Sequence, residues 1–169
     1  MHPQILIRPA VPADYDAIAR ITRDAYLVEG AMPWIWQTAG SLLGGFLAAR
    51  RAAGATIWVA ERGGRIVGSV TLAVAGEPYA DIAEGDELEF RMLVVDPDVQ
   101  RSGAGKAMVH AILDHARALP GINAVALTTG LTWESAHGLY QKTGFQRAPE
   151  RDWVVPDTDI KLLVYRQEL

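Results

Sequence analysis

Residues 92–106 read Met-Leu-Val-Val-Asp-Pro-Asp-Val-Gln-Arg-Ser-Gly-Ala-Gly-Lys. Four apolar residues form the end of a buried strand. Asp96-Pro97 then stops it, because proline cannot extend a central ladder. Gly103 and Gly105 open a helix, and without a Cβ they let a ligand approach the backbone and tolerate positive φ. In this order the chain turns unpartnered helix N–H groups, the positive end of the helix dipole, and the side chains of Arg101 and Lys106 toward one point. Such a point suits a pyrophosphate.

Working outward, Gln4–Arg8 reads as a first strand ended by Pro9. A helix is expected over 13–27, with Tyr15, Ile18, Ile21, Thr22 and Ala25 on one stripe. A tryptophan-bearing loop follows, and then a second helix over 40–53. The β-rich runs 56–61 and 65–74 flank Gly63-Gly64, a strong hairpin signal. After a loop over 75–86 come a strand over 87–95, a helix over 103–119, a strand over 123–129 and a short helix over 133–143 capped by Gly144. Two last strands are expected, one over 145–147 reaching Trp153 and one over 160–166. The order β-α-α-β-β-β-α-β-α-β-β predicts a mixed α/β (α+β) domain, an antiparallel meander followed by one right-handed β-α-β crossover.

At 169 residues the chain is the size of one domain, expected to span 1–169. A net charge of −4 argues against a general nucleic-acid binder, which would carry a basic patch. The absence of cysteine excludes disulfides, thiolate zinc sites and thiol nucleophiles, and leaves a reducing cytoplasm as the default compartment. No run of about 18 apolar residues exists to span a membrane. The 4 histidines are not clustered as ligands, so no metal is expected.

Two phosphate motifs fail on the glycine turn. A P-loop needs glycine at position 100 and Ser or Thr at 107, where Gln100 and Ala107 stand. A dinucleotide fingerprint starting at Gly103 needs Gly or Ala at position 108, which is Met108. The run Gln100-Arg101-Ser102-Gly103-Ala104-Gly105 does resemble the acetyl-coenzyme A motif of the GCN5-related N-acetyltransferase (GNAT) family, Gln/Arg-x-x-Gly-x-Gly/Ala. The family's second signature is matched by Ala136, Leu139-Tyr140 and Gly144-Phe145, and its first strand-to-helix junction by Arg8–Ala10.

The resemblance implies transfer of an acetyl group from acetyl-coenzyme A to an amine, on a sheet whose central strand is bulged and splayed from its parallel neighbour. The period of Glu87, Leu88, Glu89, Phe90 and Arg91 breaks at Met92-Leu93-Val94-Val95, as an extra residue would make it do; an uninterrupted buried strand would also give an apolar run. By resemblance, backbone groups of Leu93, Val94 and Val95 bind pantetheine, and Gln100, Arg101, Ser102, Gly103, Ala104, Gly105 and Lys106 hold the pyrophosphate. Tyr140 aligns with the family's general acid toward the thiolate, or else is a packing residue beside Leu139. Glu89 is the first candidate for the base, ahead of Glu87 and Asp86. The alternatives are that the two glutamates form a solvated face, or that Glu89 pairs with Arg91. Trp133 stands where the family has asparagine, which leaves Thr132 or backbone groups to replace that contact.

On the acceptor side, Tyr26, Trp34, Trp36 and Phe46 offer aromatic faces for apolar groups or cations, with Glu87 on the same cavity. The alternative for each is a core residue or a contact within a homodimer. The acceptor is expected to be a small-molecule amine, with a protein N-terminus or lysine second. A non-catalytic acyl-coenzyme A sensor is the reading from a different functional class.

Overall fold

The computed structural model describes residues 4–28, 55–99, 102–130 and 134–169, without the side chains of 26–28 and 134–135. Its strands are β1 (Ile5–Pro9), β2 (Thr56–Arg62), β3 (Arg65–Val74), β4 (Glu87–Val95), β5 (Ala124–Gly130), β6 (Gln146–Arg147), β7 (Trp153–Val154) and β8 (Lys161–Glu168). The helical-period runs become α1 (Tyr15–Val28), α2 (Ala104–Ala118) and α3 (Glu134–Lys142). The helix expected over 40–53 lies outside the described residues.

Hydrogen bonding orders the sheet β1-β2-β3-β4-β5-β8-β6, with β7 on β8. Among the described strands only β4–β5 is parallel, and α2 makes the crossover between them. The expected hairpin forms between β2 and β3: Gly63 and Gly64 take φ of 58° and 79°, and Arg62 pairs with Arg65. These angles fit the primed turn whose twist matches that of paired strands.

Each face of the sheet buries one helix stripe. Ile18 and Ile21 of α1 pack on Ile57, Val59, Ile66 and Val94, while Met108, Val109, Ile112 and Leu113 of α2 pack on Leu72, Leu88, Phe90, Val125 and Leu127. Each such fully buried side chain contributes about 2 kcal/mol. At Gly68 an added Cβ would lie 2.8 Å from Met108 Cε and 3.0 Å from the Val94 carbonyl oxygen, so a larger residue there would press on the Met108 side chain of α2 and on the β4 backbone.

The period break in β4 is a bulge. Ser69 and Thr71 of β3 pair with Val94 and Arg91, so three steps on β4 oppose two on β3, and Met92 adopts φ of 55°. Leu88 and Phe90 pack on the α2 side; beyond the bulge Leu93 and Val95 take that side, and Met92 and Val94 turn to α1. The ladder between β4 and β5 ends at Phe90 and Leu127, and the two strands part there.

One expectation is corrected at the C-terminal end. The strand expected over 145–147 and reaching Trp153 is divided into β6 and β7 by a 3-10 turn at Pro149–Arg151. Proline cannot donate to a ladder, and Arg147 clamps the excursion by donating to both carboxylate oxygens of Asp152 at 2.8 and 2.7 Å. Among the described residues no helix is long and apolar enough to cross a membrane.

Asp96, 1% exposed, closes the end of β4. It accepts from Arg65 at 2.9 Å, from Arg20 at 3.4 Å and from the Asp98 N–H at 3.0 Å, which joins α1, β3 and the start of the glycine turn. Burial alone would raise its pKa, but the Asp98 N–H and the two arginines outweigh it and hold the carboxyl below the usual range. A depressed carboxyl contributes stability at pH values above its unfolded pKa and loses it as pH falls through the folded one. Asp96→Ala should therefore cost about 2 kcal/mol near neutrality. The difference from wild type should shrink in acid, as pH falls below the ordinary carboxyl value of 3.8. Chemical denaturation at several pH values reads both effects; a pH-independent difference would contradict the assignment.

Candidate active site

Where β4 and β5 part, a cavity of about 450 Å³ opens through the sheet. Phe90, Leu93, Ala136, Thr129 and Tyr140 line it on one side, and Glu89, Arg91 and Thr128 on the other. The 75–86 loop adds Pro78, Tyr79 and Asp81, and the segment around β7 adds Trp153, Val155 and Pro156. Among the described residues Thr128 Oγ1, Thr129 Oγ1 and Trp153 Nε1 are buried without a hydrogen-bond partner, and all three belong to lining residues. Buried polar groups are otherwise almost always paired, and exceptions gather at functional sites.

Glu89 is 1% exposed, at the centre of the sheet between Ala73 and Ala126. Its carboxylate accepts from the backbone N–H groups of Asp81 at 2.7 Å and Ile82 at 3.1 Å. Burial, aided by the nearby charge of Asp81, moves its pKa from the ordinary 4.5 to about 7, against the opposing effect of those N–H groups and Arg91. Arg91 does not pair with Glu89; it donates to the Asp81 carboxylate and, at 3.4 Å, to the Tyr79 carbonyl oxygen.

Glu87, two residues upstream, is placed otherwise. It is 3% exposed and accepts from Arg151 at 2.8 Å through both oxygens, from Arg166 at 2.7 Å and from the Glu84 N–H at 3.0 Å. The arginines overcome the burial cost and lower its pKa. Glu87 is not among the cavity-lining residues, and every donor around it is a structural tie between β4, β8 and the turn before β7. Asp86 accepts from the Asn123 side chain at 2.9 Å, also off the cavity. The solvated-face alternative for the two glutamates is thus replaced by two buried carboxylates.

Tyr140 on α3 is 5% exposed, its ring in edge contact with Phe90 at 5.8 Å and Phe145 at 6.1 Å. Gly144 at φ 100° ends α3 as expected. At the glycine turn, Gly103 caps α2 with φ of 87°, and an added Cβ there would meet nothing within 4 Å. Gly105 faces inward instead. A Cβ at that position would lie 3.3 Å from Leu139 Cδ2 and 3.7 Å from Val95 Cγ2, so this glycine lets α2 approach α3 and β4.

The first helical bond of α2 runs from the Ala107 N–H to the Gly103 carbonyl at 2.9 Å, which leaves the N–H groups of Gly105 and Lys106 without intrahelical partners. Ser102 Oγ accepts a long 3.4 Å bond from the Ala104 N–H. Lys106 is exposed and Ala104 buried. Gln100, Arg101, Thr132, Trp133, Trp34, Trp36 and Phe46 lie outside the described residues, as does the side chain of Tyr26.

Sequence reasoning did not find Tyr79, Asp81 and Ile82. They lie on a loop without periodicity, and their tie to Glu89 is visible only once the loop folds over β4. Arg151 and Arg166 likewise reach Glu87 from 64 and 79 positions away.

Residues 15–145 match the sequence profile of the Acetyltransferase (GNAT) family. The chain is 38% identical over 98 residues to N-acetyltransferase 8 of Rattus norvegicus, covering 57% of this chain and 42% of that protein. The chain thus spans about two fifths of the length of the curated relatives it matches. In fold it is similar to PaiA N-acetyltransferase from Thermoplasma acidophilum in complex with coenzyme A, with a TM-score of 0.69, 16% identity, and 98% and 99% of the two chains covered. It is similar also to YncA of Salmonella typhimurium with its cofactor acetyl-CoA, with a TM-score of 0.66, 19% identity, and 98% and 94% covered.

The raised pKa of Glu89 carries a stability signature. A carboxyl that is harder to ionise folded than unfolded favours the fold below its unfolded pKa and loses that contribution as pH rises through the folded one. Stability should fall between about pH 4.5 and 7 on account of Glu89. In Glu89→Gln that decline should be absent, whatever the absolute stability of the variant. Equal slopes in urea-melt series of the two proteins across this window would refute it.

Proposed function

The chain belongs to the acetyltransferase (GNAT) family, and we propose that it moves an acetyl group from acetyl-coenzyme A directly to the amine of a small molecule. The observation that carries this reading is the single cavity at the parting of β4 and β5, which holds a buried carboxylate of near-neutral pKa, Glu89, together with the Tyr140 phenol. The coenzyme A and acetyl-coenzyme A named with PaiA and YncA support the donor. A single transferase unit over 1–169 is part of the proposal.

The donor supplies an activated thioester. Direct transfer then asks the protein for orientation, a deprotonated amine, a polarised carbonyl and a proton for the leaving thiolate. Gly103, Ala104, Gly105 and Lys106, with Ser102, Gln100 and Arg101, would hold the diphosphate at the positive end of α2. The bulge leaves the backbone of Leu93, Val94 and Val95 without a β5 partner. Those groups would pair with the pantetheine amides, and one N–H would face the thioester oxygen. The open face of Gly103, the parted strands and the orphaned threonine hydroxyls fit such an occupant.

A primary amine is mostly protonated at neutral pH, and a carboxylate of pKa about 7 is matched to removing that proton. Glu89 takes it, and the freed amine attacks the thioester carbon. The C–S bond breaks as the amide forms, and Tyr140 gives a proton to the thiolate sulfur. The second amine proton, shed as the amide forms, restores the Tyr140 phenol. Glu87 acts indirectly, by anchoring the start of β4. Tyr26 and Trp34 are assigned to the acceptor wall.

Free-thiol release over a panel of amines tests the assignment. Tyr140→Phe should lose about 100-fold or more in kcat while keeping its stabilisation by acetyl-coenzyme A. For wild type, kcat/KM should rise with pH through about 7 as Glu89 ionises. Acetyl-coenzyme A at 100 times its Kd should stabilise the fold by about 2.7 kcal/mol, where ATP and NAD at equal concentration should not. Stabilisation without thiol release from any amine would favour the sensor; equal stabilisation by ATP would remove the donor assignment.

A further inference from the structure

Among the described residues Glu89 has one cation within easy reach, Arg91, two residues along the same strand and so on the same face. Paired with an arginine, a carboxylate stays ionised and loses basicity. Arg91 is turned elsewhere. Its guanidinium meets the Asp81 carboxylate and the Tyr79 carbonyl, and the Asp81 N–H, with that of Ile82, occupies the Glu89 oxygens. The loop that carries Asp81 is held independently. Arg151 donates to the Ile82 carbonyl at 2.6 Å, and the Glu84 N–H donates to Glu87 at 3.0 Å.

We propose that Asp81 is a positioning residue for the transfer: its carboxylate keeps the Arg91 guanidinium off Glu89, and its backbone N–H sets the direction of the Glu89 carboxylate. This rests on the reading of Glu89 as the proton acceptor. Among the described residues, the remaining surroundings leave Asp81 and Arg91 in control. Strands β3 and β5 set Ala73 and Ala126 beside Glu89. Glu87 is committed to Arg151 and Arg166, and among the described side chains the apolar contacts of β4 with α1 fall beyond the bulge, at Met92 and Val94. Tyr79 and Tyr140 are the other titratable groups lining the cavity. The direction of the Glu89 shift agrees, because Asp81 raises its pKa and Arg91 lowers it.

The experiment follows Glu89 by carboxyl ¹³C NMR titration in wild type, Asp81→Asn, Arg91→Met and Arg91→Lys, beside the pH profile of kcat/KM. Asp81→Asn frees Arg91 to pair with Glu89 and should lower both the titration and the acidic limb by about half a unit or more, a modest value because the Asp81–Arg91 pair is partly exposed. Arg91→Met should move both upward, and Arg91→Lys should stay near wild type. Shifts of the same sign in Asp81→Asn and Arg91→Met, or no shift in either, would overturn the proposal. If Asp81→Asn does not fold, Arg91→Met decides alone by the presence or absence of its upward shift. Titrations that move as stated while the kcat/KM limb stays fixed would overturn Glu89 as the base, and leave its contact with Asp81 standing.

Discussion

One extra residue in β4 governs the site. A strand that kept its register with both neighbours would run beside β5 along its whole length, and its backbone groups would be used up in the sheet. The insertion at Met92 shifts every later side chain to the opposite face. Pairing with β3 survives beyond it, while the ladder to β5 ends at Phe90. The sheet is thus intact on one side of β4 and open on the other. Both the cavity and the lack of a β5 partner along Leu93–Val95 follow from that asymmetry. The backbone cost of a non-glycine residue at φ 55° is offset by packing of Met92 against the α1 side of the core.

Around this opening, two glutamates separated by one residue have opposite fates. Both are buried, and burial pushes both toward the neutral form. Glu87 meets two guanidinium groups and stays ionised; Glu89 meets backbone N–H groups with a carboxylate nearby and is left near neutrality. The charge environment, rather than burial, separates a structural carboxylate from one suited to accept a proton.

Much of the fold was legible because its signals are local. The hairpin was readable at Gly63-Gly64, the α1 stripe from Tyr15 to Ala25, the cap at Gly144, and the bulge from the lapse of a two-residue period at Met92. The two roles of the glycines were not separable. Gly103 is open to the outside, but Gly105 answers to Leu139 and Val95, a packing fact that no spacing reveals. The C-terminal strands were overextended because the Arg147–Asp152 clamp draws the chain out of the sheet. The partners of Glu87 and Glu89 come from an aperiodic loop and from strands far along the chain. Glu87 therefore read as an acceptor-side residue, whereas the structure commits it to two arginines.

The central claim is that the gap made by the bulge receives an acyl thioester whose diphosphate rests on the first turn of α2. A crystal structure of the protein with a non-hydrolysable acetyl-coenzyme A analogue tests it most directly. The account places the diphosphate against the N–H groups of Gly103 to Lys106 and the thioester between Leu93 and Thr129, within the cavity shared by Glu89 and Tyr140. An analogue bound elsewhere, or a β4–β5 ladder zipped closed past Phe90 in its presence, would contradict it.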